Sequence, residues 1–201
     1  MKLDTIIIGG GESGLKKGMQ KLAEGKRVAI VSAGKSTISI RYAAENVQDY
    51  IPRLQEGVKR EADMKREFRN AGGILLEGDE VVSAGLEATP DGKLKVTNVT
   101  TSKLDDELLR ADEYFLASGS FVSRGLISSY MGVTEPIFNI DIDGAVPTKD
   151  MVSVDFFAPQ AFMGVHVAVD ADGCALKEGK TVVNLFPIGS IATGYKQTSQ
   201  K

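Results

Sequence analysis

Leu3-Asp4-Thr5-Ile6-Ile7-Ile8-Gly9-Gly10-Gly11-Glu12-Ser13-Gly14 is the most informative stretch of this chain. Apart from Asp4 and Thr5 the run to Ile8 is apolar, as in a strand buried on both faces, and three glycines end it in a tight turn. Leu15, Met19 and Leu22 follow at helical spacing, and Gly25 closes the run as a C′ glycine would. Arg27-Val28-Ala29-Ile30-Val31 is then a second apolar strand. Gly9, Gly11 and Gly14 satisfy G-x-G-x-x-G, and Gly18 continues the series. In strand–turn–helix–strand context this motif is the dinucleotide fingerprint. Two glycines let the backbone turn and approach a pyrophosphate, the third lets helix pack on strand, and the helix N-terminus offers free N–H groups. The bland alternative is a tight turn that binds nothing.

Two residues depart from the simplest version. An acid that bonds the ribose is expected about 20 residues on, near Ser32, yet no carboxylate stands in residues 28–44. Serine bonds a ribose hydroxyl more weakly. Glu12 has two readings: its carboxylate occupies the helix N-terminus and competes with phosphate, or it pairs outward with Lys16 one turn on.

Beyond this unit, Lys35–Ile51 lacks clean periodicity and reads as loop with a short helix. Pro52 starts a helix carrying Leu54, Val58, Ala62 and Phe68, which Gly72-Gly73 ends. Ile74–Leu76, Glu80–Ala88 and Leu94–Thr101 then predict an antiparallel meander over about 74–110, with Pro90-Asp91-Gly92 as a hairpin turn. Ala111–Ala117 and Thr181–Ile188 return to the central-strand pattern and end in Ser118-Gly119-Ser120 and Gly189-Ser190. Residues 141–180 form a strand-and-loop excursion. The fold class is α/β, a Rossmann-like parallel sheet with an inserted antiparallel meander, and residues 1–201 are expected to form one nucleotide-binding domain.

Composition bounds the function. With 201 residues, Lys+Arg 24 and Asp+Glu 27, net −3, the chain is globular and carries no nucleic-acid-binding arm. The 22 glycines are about 11% of the chain against a usual share of roughly 7%. Single copies of Cys and His exclude an internal disulfide and a Cys/His zinc site, and the expected compartment is reducing. Ile6-Ile7-Ile8 is too short for a signal sequence or a bilayer span, so no membrane crossing is expected. Among isolated candidates, His166 between two valines is an ordinary strand residue before it is a proton donor. Cys174 sits in a turn without a redox partner. Phe156, Phe157 and Phe162 are a core cluster before a flavin platform. Lys59-Arg60 and Lys65-Arg66 form a solvated helix face. No side chain identifies itself as catalytic.

Several segments together resemble the flavoprotein B subunit of bacterial anaerobic glycerol-3-phosphate dehydrogenase: Asp4–Gly11, Val28-Ala29-Ile30-Val31-Ser32-Ala33-Gly34-Lys35-Ser36, Gly72–Val81, Phe115–Phe121, Glu135-Pro136-Ile137-Phe138, Asp155–Gln160 and Asn184–Ser190. The resemblance covers about residues 1–40, 66–141 and 154–195. Members of that family are longer and carry more chain where residues 41–55 stand. The resemblance implies a glutathione-reductase-like flavin fold and FAD or FMN as cofactor. Its partners would be a catalytic flavoprotein subunit and an iron–sulfur membrane-anchor subunit, placing the chain in the cytoplasm at the inner face of the membrane. The implied reaction oxidises glycerol 3-phosphate, a small phosphorylated substrate, to dihydroxyacetone phosphate and passes electrons toward quinone. Ser118-Gly119-Ser120 would lie near the cofactor and Gly189-Ser190 near the flavin ribityl and phosphate. With the glycine turn, the expected cofactor contacts are Gly9, Gly11, Gly14, Ser32, Gly34, Ser36, Gly119, Gly189 and Ser190. The alternative is a non-catalytic scaffold subunit that keeps the fold without the flavin.

Overall fold

The computed structural model describes residues 3–34, 47–104, 107–155, 158 and 160–194. β1 (Thr5–Ile8) leads through the glycine turn into α1 (Glu12–Ala23), and β2 (Val28–Ser32) returns parallel to β1, with Ile7 opposite Ile30. α2 (Val47–Asn70) begins five residues before Pro52, which stands inside it. The stretch read as loop with a short helix thus ends in this helix, while its residues 35–46 lie outside the described residues.

After α2, β3 (Ile74–Glu77) lies parallel to β2 rather than opening the meander. Its three consecutive apolar residues explain the difference. Leu75 packs with the cluster around α1 and α2, whereas Ile74 and Leu76 pack on the opposite cluster. Both faces of β3 therefore meet apolar partners, as a parallel-sheet strand requires and one face of a meander does not.

The hairpin itself is formed by β4 (Val81–Ala88) and β5 (Leu94–Thr101), antiparallel with two irregularities in register. Its turn lies at Pro90-Asp91-Gly92, where Gly92 N–H donates to the Thr89 carbonyl at 2.9 Å. β6 (Glu113–Leu116) pairs parallel with β1. Short antiparallel pairs follow: β7 (Ile127–Ser129) with β8 (Gly132–Thr134), β9 (Ile142–Asp143) with β10 (His166–Val167), and β11 (Leu176–Lys177) with β12 (Lys180–Thr181). β13 (Leu185–Pro187) then joins β6 in parallel. Thr181–Ile188 is consequently split. Leu185 N–H turns back onto the Val182 carbonyl at 3.1 Å, so only the second half enters the sheet.

The five-stranded sheet has the order β13-β6-β1-β2-β3. Its order reverses beside β1, which creates a crevice at the strand ends where doubly wound folds take ligands. β1 shows why the alternation of faces matters. Ile7 joins Leu15 of α1 and Phe68 of α2, while Ile6 and Ile8 join a larger cluster with the hairpin valines Val81, Val96 and Val99. Full burial of such side chains contributes roughly 1.5–3 kcal/mol each.

Two buried polar groups hold the hairpin, Asn184 to the sheet and Asp79 across the hairpin's own open end. Asn184 Nδ2 donates to the Val96 carbonyl at 2.9 Å, and its Oδ1 accepts Val96 N–H at 2.8 Å. Asp79, 3% exposed, accepts Thr101 Oγ1 (2.7 Å), Ser102 Oγ (3.0 Å) and the N–H groups of Glu80 and Lys103 (2.9 and 3.0 Å). Burial pushes the Asp79 carboxyl upward, but the bonds from Thr101, Ser102 and the two amides outweigh it and hold the group below its ordinary range. A lowered folded value gives stability that is present above the unfolded pKa, about 3.9, and is lost as the pH falls through the folded value. In urea titrations, stability is expected to fall more steeply below about pH 5 in the wild type than in Asp79→Asn, which is itself less stable at pH 7 by about 1–2 kcal/mol. Equal acid slopes would show that Asp79 is not the clamp.

Candidate functional site

The ends of β1, β2 and β6 open into a cleft of about 290 Å³, at the lower end of the range for ligand pockets. Its walls are the glycine turn Gly9–Gly11, the end of β2 from Val31 to Gly34, the segment Asp79–Val82, and the turn Ala117–Gly119. Pro136 and Ile137 close another side.

Glycine is required at two points of this construction. Gly9 has φ +114°, and a Cβ there would run into the Ala117 carbonyl. At Gly14 a Cβ would run into the carbonyl of Gly9. The turn, the first helical residues and the end of β6 therefore approach one another to a distance no side chain permits. Gly11 is the opposite case: it lines the cleft, and an added Cβ would meet nothing within 4 Å. α1 begins immediately after Gly11 without a side-chain cap, so its first-turn N–H groups and partial positive charge are presented at the glycine turn.

The expected residues separate into two groups. Gly9, Gly11, Ser32, Gly34 and Gly119 line the cleft. Gly14, Gly189 and Ser190 do not, although they stand close behind it: a Cβ on Gly189 would lie 2.7 Å from Ser13 Oγ of α1, and one on Gly119 would lie 3.8 Å from Ser190 Oγ. Ser190 opens the short helix α3 (Ser190–Thr193). Ser36 lies outside the described residues.

The donor set fits a dinucleotide. Among the described residues, Ser118 Oγ and Ser120 Oγ are the buried side-chain oxygens without a hydrogen-bond partner, and such atoms are costly unless a ligand or water satisfies them. Both belong to the β6 turn, where Ser118 lines the cleft and Ser120 stands behind it, and Ser123 Oγ fixes the turn by donating to the Ser118 carbonyl at 2.7 Å. An open glycine wall, an uncapped helix start and orphaned hydroxyls together suit a pyrophosphate and its sugars.

Glu12 takes the outward reading. Its Oε1 pairs with Lys16 Nζ at 2.6 Å and with Arg60 of α2 at 3.1 Å. Arg60 is thus part of a helix–helix tie within the basic face that the sequence predicted. Ser32 is 6% exposed and packed under the turn, where a Cβ on Gly10 would meet its Oγ at 2.5 Å.

Sequence reasoning missed several contributors, Glu61, Arg124, Pro136 and Ile137 among them. Glu61 of α2 and Arg124, which follows the β6 turn, both line the cleft; neither lies in a recognisable spacing, because the fold alone brings them there. Pro136 and Ile137 are held by Glu135, a fully buried carboxylate that accepts the N–H groups of Ile137, Phe138 and Asn139 at 3.1, 2.7 and 3.1 Å. Burial pushes the Glu135 carboxyl upward against those bonds. The Glu135-Pro136 dipeptide was the available signal.

Other candidates stand apart from the cleft. His166 lies in β10, its Nδ1 2.8 Å from the Gly164 carbonyl. Cys174 is buried, and burial pushes its thiol upward. Phe162 packs edge-on against Phe121 at 6.1 Å between ring centroids, while Phe156 and Phe157 lie outside the described residues. No described helix is long and apolar enough to cross a membrane.

Comparison with known proteins identifies the family. Residues 40–201 match the family described as FAD binding domain. That match excludes the glycine turn, so the two signals come from different parts of the chain. The B subunit of anaerobic glycerol-3-phosphate dehydrogenase from Haemophilus influenzae (strain PittEE) is 34% identical over 144 residues, 69% of this chain and 32% of that protein. Its counterpart in Actinobacillus pleuropneumoniae serotype 5b (strain L20) is 31% identical over 152 residues, 72% of this chain and 34% of that protein. The chain spans about a third of the length of these curated relatives. Among solved structures, Thermovibrio ammonificans THI4 is 20% identical with a TM-score of 0.45, covering 59% of this chain and 58% of that one. With a parallel sheet and a family match over most of its length, the chain belongs to the FAD-binding domain family, and FAD is its cofactor.

Proposed function

We propose that this chain is the flavin-binding part of the B subunit of an anaerobic glycerol-3-phosphate dehydrogenase. The observation that carries the reading is the open cleft at Gly9–Gly11 beside the orphaned hydroxyl of Ser118, in a chain 34% identical to such a subunit over 69% of its length. The complex oxidises glycerol 3-phosphate to dihydroxyacetone phosphate and passes two electrons toward quinone. Its other members are a catalytic flavoprotein subunit and an iron–sulfur subunit that anchors it to the membrane, which places this chain on the cytoplasmic side.

Bound FAD supplies the two-electron acceptor. The chain's own residues bind and orient. The N–H groups of the glycine turn and of the first turn of α1 take the pyrophosphate oxygens, with Gly14 letting the helix approach. Ser118 donates its hydroxyl from the β6 turn, and Gly119 beside it leaves room. Gly34 takes the adenosine side, and Gly189 and Ser190 back the cleft against Ser13 and Gly119. Val81 and Val82 with Pro136 and Ile137 exclude water from the apolar parts of the cleft.

Titration of the purified protein with FAD, followed by visible absorption and flavin fluorescence, tests this reading. Saturable binding is expected; failure to bind FAD would leave the non-catalytic scaffold. Gly11→Val fills cleft space without meeting other atoms, so it is expected to keep its circular dichroism and melting temperature while weakening FAD at least about tenfold, roughly 1.4 kcal/mol. Equal affinity would remove Gly11 from the site.

Glu12 gives a second prediction. Because Lys16 and Arg60 already neutralise it, Glu12→Ala should leave FAD affinity within about twofold. It should lower urea stability by less than about 1 kcal/mol, as exposed ion pairs do. Markedly tighter FAD binding by the variant would restore the reading in which Glu12 competes with phosphate.

A further inference from the structure

The end of β2 carries no acid for the cofactor's ribose, and the serine that stands there is packed under Gly10 with 6% of its surface exposed. A carboxylate nevertheless reaches the same cleft from another element. Glu61 of α2 lines it together with Ser32, Ala33 and Gly34.

Its position is fixed by a chain of contacts that leads back to the end of β2. Ser32 is the register partner of Glu77 on β3. Lys65 Nζ bonds Glu77 Oε1 at 2.8 Å and Glu61 Oε1 at 2.8 Å, and Arg69 bonds the other oxygen of Glu77 at 2.6 Å. Lys65, one turn after Glu61, thus fastens it to the strand beside Ser32. The other carboxylates nearby are differently placed. Glu77 is committed to Lys65 and Arg69 and does not line the cleft. Asp79 does line it, but both its oxygens are engaged in holding the hairpin. Glu80 also lines it, from the start of the hairpin segment, and is the rival for the same role.

We propose that Glu61 supplies the ribose-binding carboxylate that β2 lacks, accepting hydroxyl hydrogen bonds from the adenosine ribose of FAD. The acid of this fold has moved from the strand end to the facing helix, and Lys65 positions it. This rests on the cleft being the FAD site. It assigns to α2 a role in cofactor selection, since a carboxylate at this point favours an unmodified ribose and repels a 2′-phosphate.

The test compares FAD, ADP and 2′-deoxy-ADP as ligands of the wild type, Glu61→Gln and Glu80→Gln, using calorimetry or displacement of bound FAD. Removing one hydroxyl that bonds a charged acceptor is expected to cost the wild type about tenfold in affinity. Glu61→Gln should bind ADP more weakly and discriminate the two nucleotides less than about threefold, while Glu80→Gln, at the rival cleft carboxylate, changes the affinity for both nucleotides alike and keeps the wild-type ratio between them. Circular dichroism melting of each variant reports its folding. A wild-type ratio near one overturns the assignment without reference to any variant, as does a Glu61→Gln ratio equal to the wild-type ratio. Loss of discrimination in Glu80→Gln alone transfers the role to Glu80 and overturns it too. If the wild type binds FAD but shows no ribose preference, only this inference falls; if it binds neither FAD nor ADP, the flavin-site reading falls with it.

Discussion

The cleft is built on the contact of backbone with backbone at Gly9 and Gly14. The carbonyl of Gly9 lies where a Cβ on Gly14 would be, and the carbonyl of Ala117 lies where a Cβ on Gly9 would be. Three elements therefore close on each other through main-chain atoms alone: the end of β1, the first turn of α1 and the end of β6. Dense packing of this kind has little give, and a single added methyl displaces one of the three. The same closeness leaves the uncapped start of α1 facing the cleft from a short, rigid turn.

The second layer of the site is ionic. α2 contributes no strand, yet it is tied to elements on two sides of the cleft, through Arg60 to Glu12 on α1 and through Lys65 and Arg69 to Glu77 on β3. Burial pushes the Lys65 ammonium downward, but Glu61 and Glu77 outweigh it and hold the group above its ordinary range, so it remains charged. Exposed pairs of this type add little stability individually. Their effect here is on position, because they set the rotation of α2 at the level of the cleft. Gly18 and Gly73 complete the seat. Both lie directly against the ring of Phe68, which fills the space between α1, α2 and β2.

The opposite face of the sheet is covered by β-structure held through buried polar groups. Asn184, Asp79 and Glu135 each satisfy backbone groups that an apolar residue would leave unpaired. Asn184 fixes the hairpin to the sheet, Asp79 fixes its end beside the cleft, and Glu135 fixes the loop that carries Pro136 and Ile137. Fully satisfied buried groups specify a single arrangement where apolar contacts would tolerate several.

Local pattern alone established the strand–glycine turn–helix–strand unit, because apolar runs and glycine spacing act through residues close together in the chain. It also established the hairpin at Pro90-Asp91-Gly92 and the two later strand ends at Ser118 and Gly189. Long-range packing was needed to assign Ile74–Glu77 to the parallel sheet, since three apolar residues in a row do not say which neighbours cover their two faces. Likewise Thr181–Ile188 reads as one strand until the turn at Val182–Leu185 and the side chain of Asn184 divide it. Glu12 was balanced between two partners in the sequence, and Arg60, 48 residues away, settled its direction. Glu61 and Arg124 entered the cleft without any motif to announce them. Their place depends on how α2 and the loops pack on the sheet, a sum of contacts between residues far apart in the chain that no local pattern records.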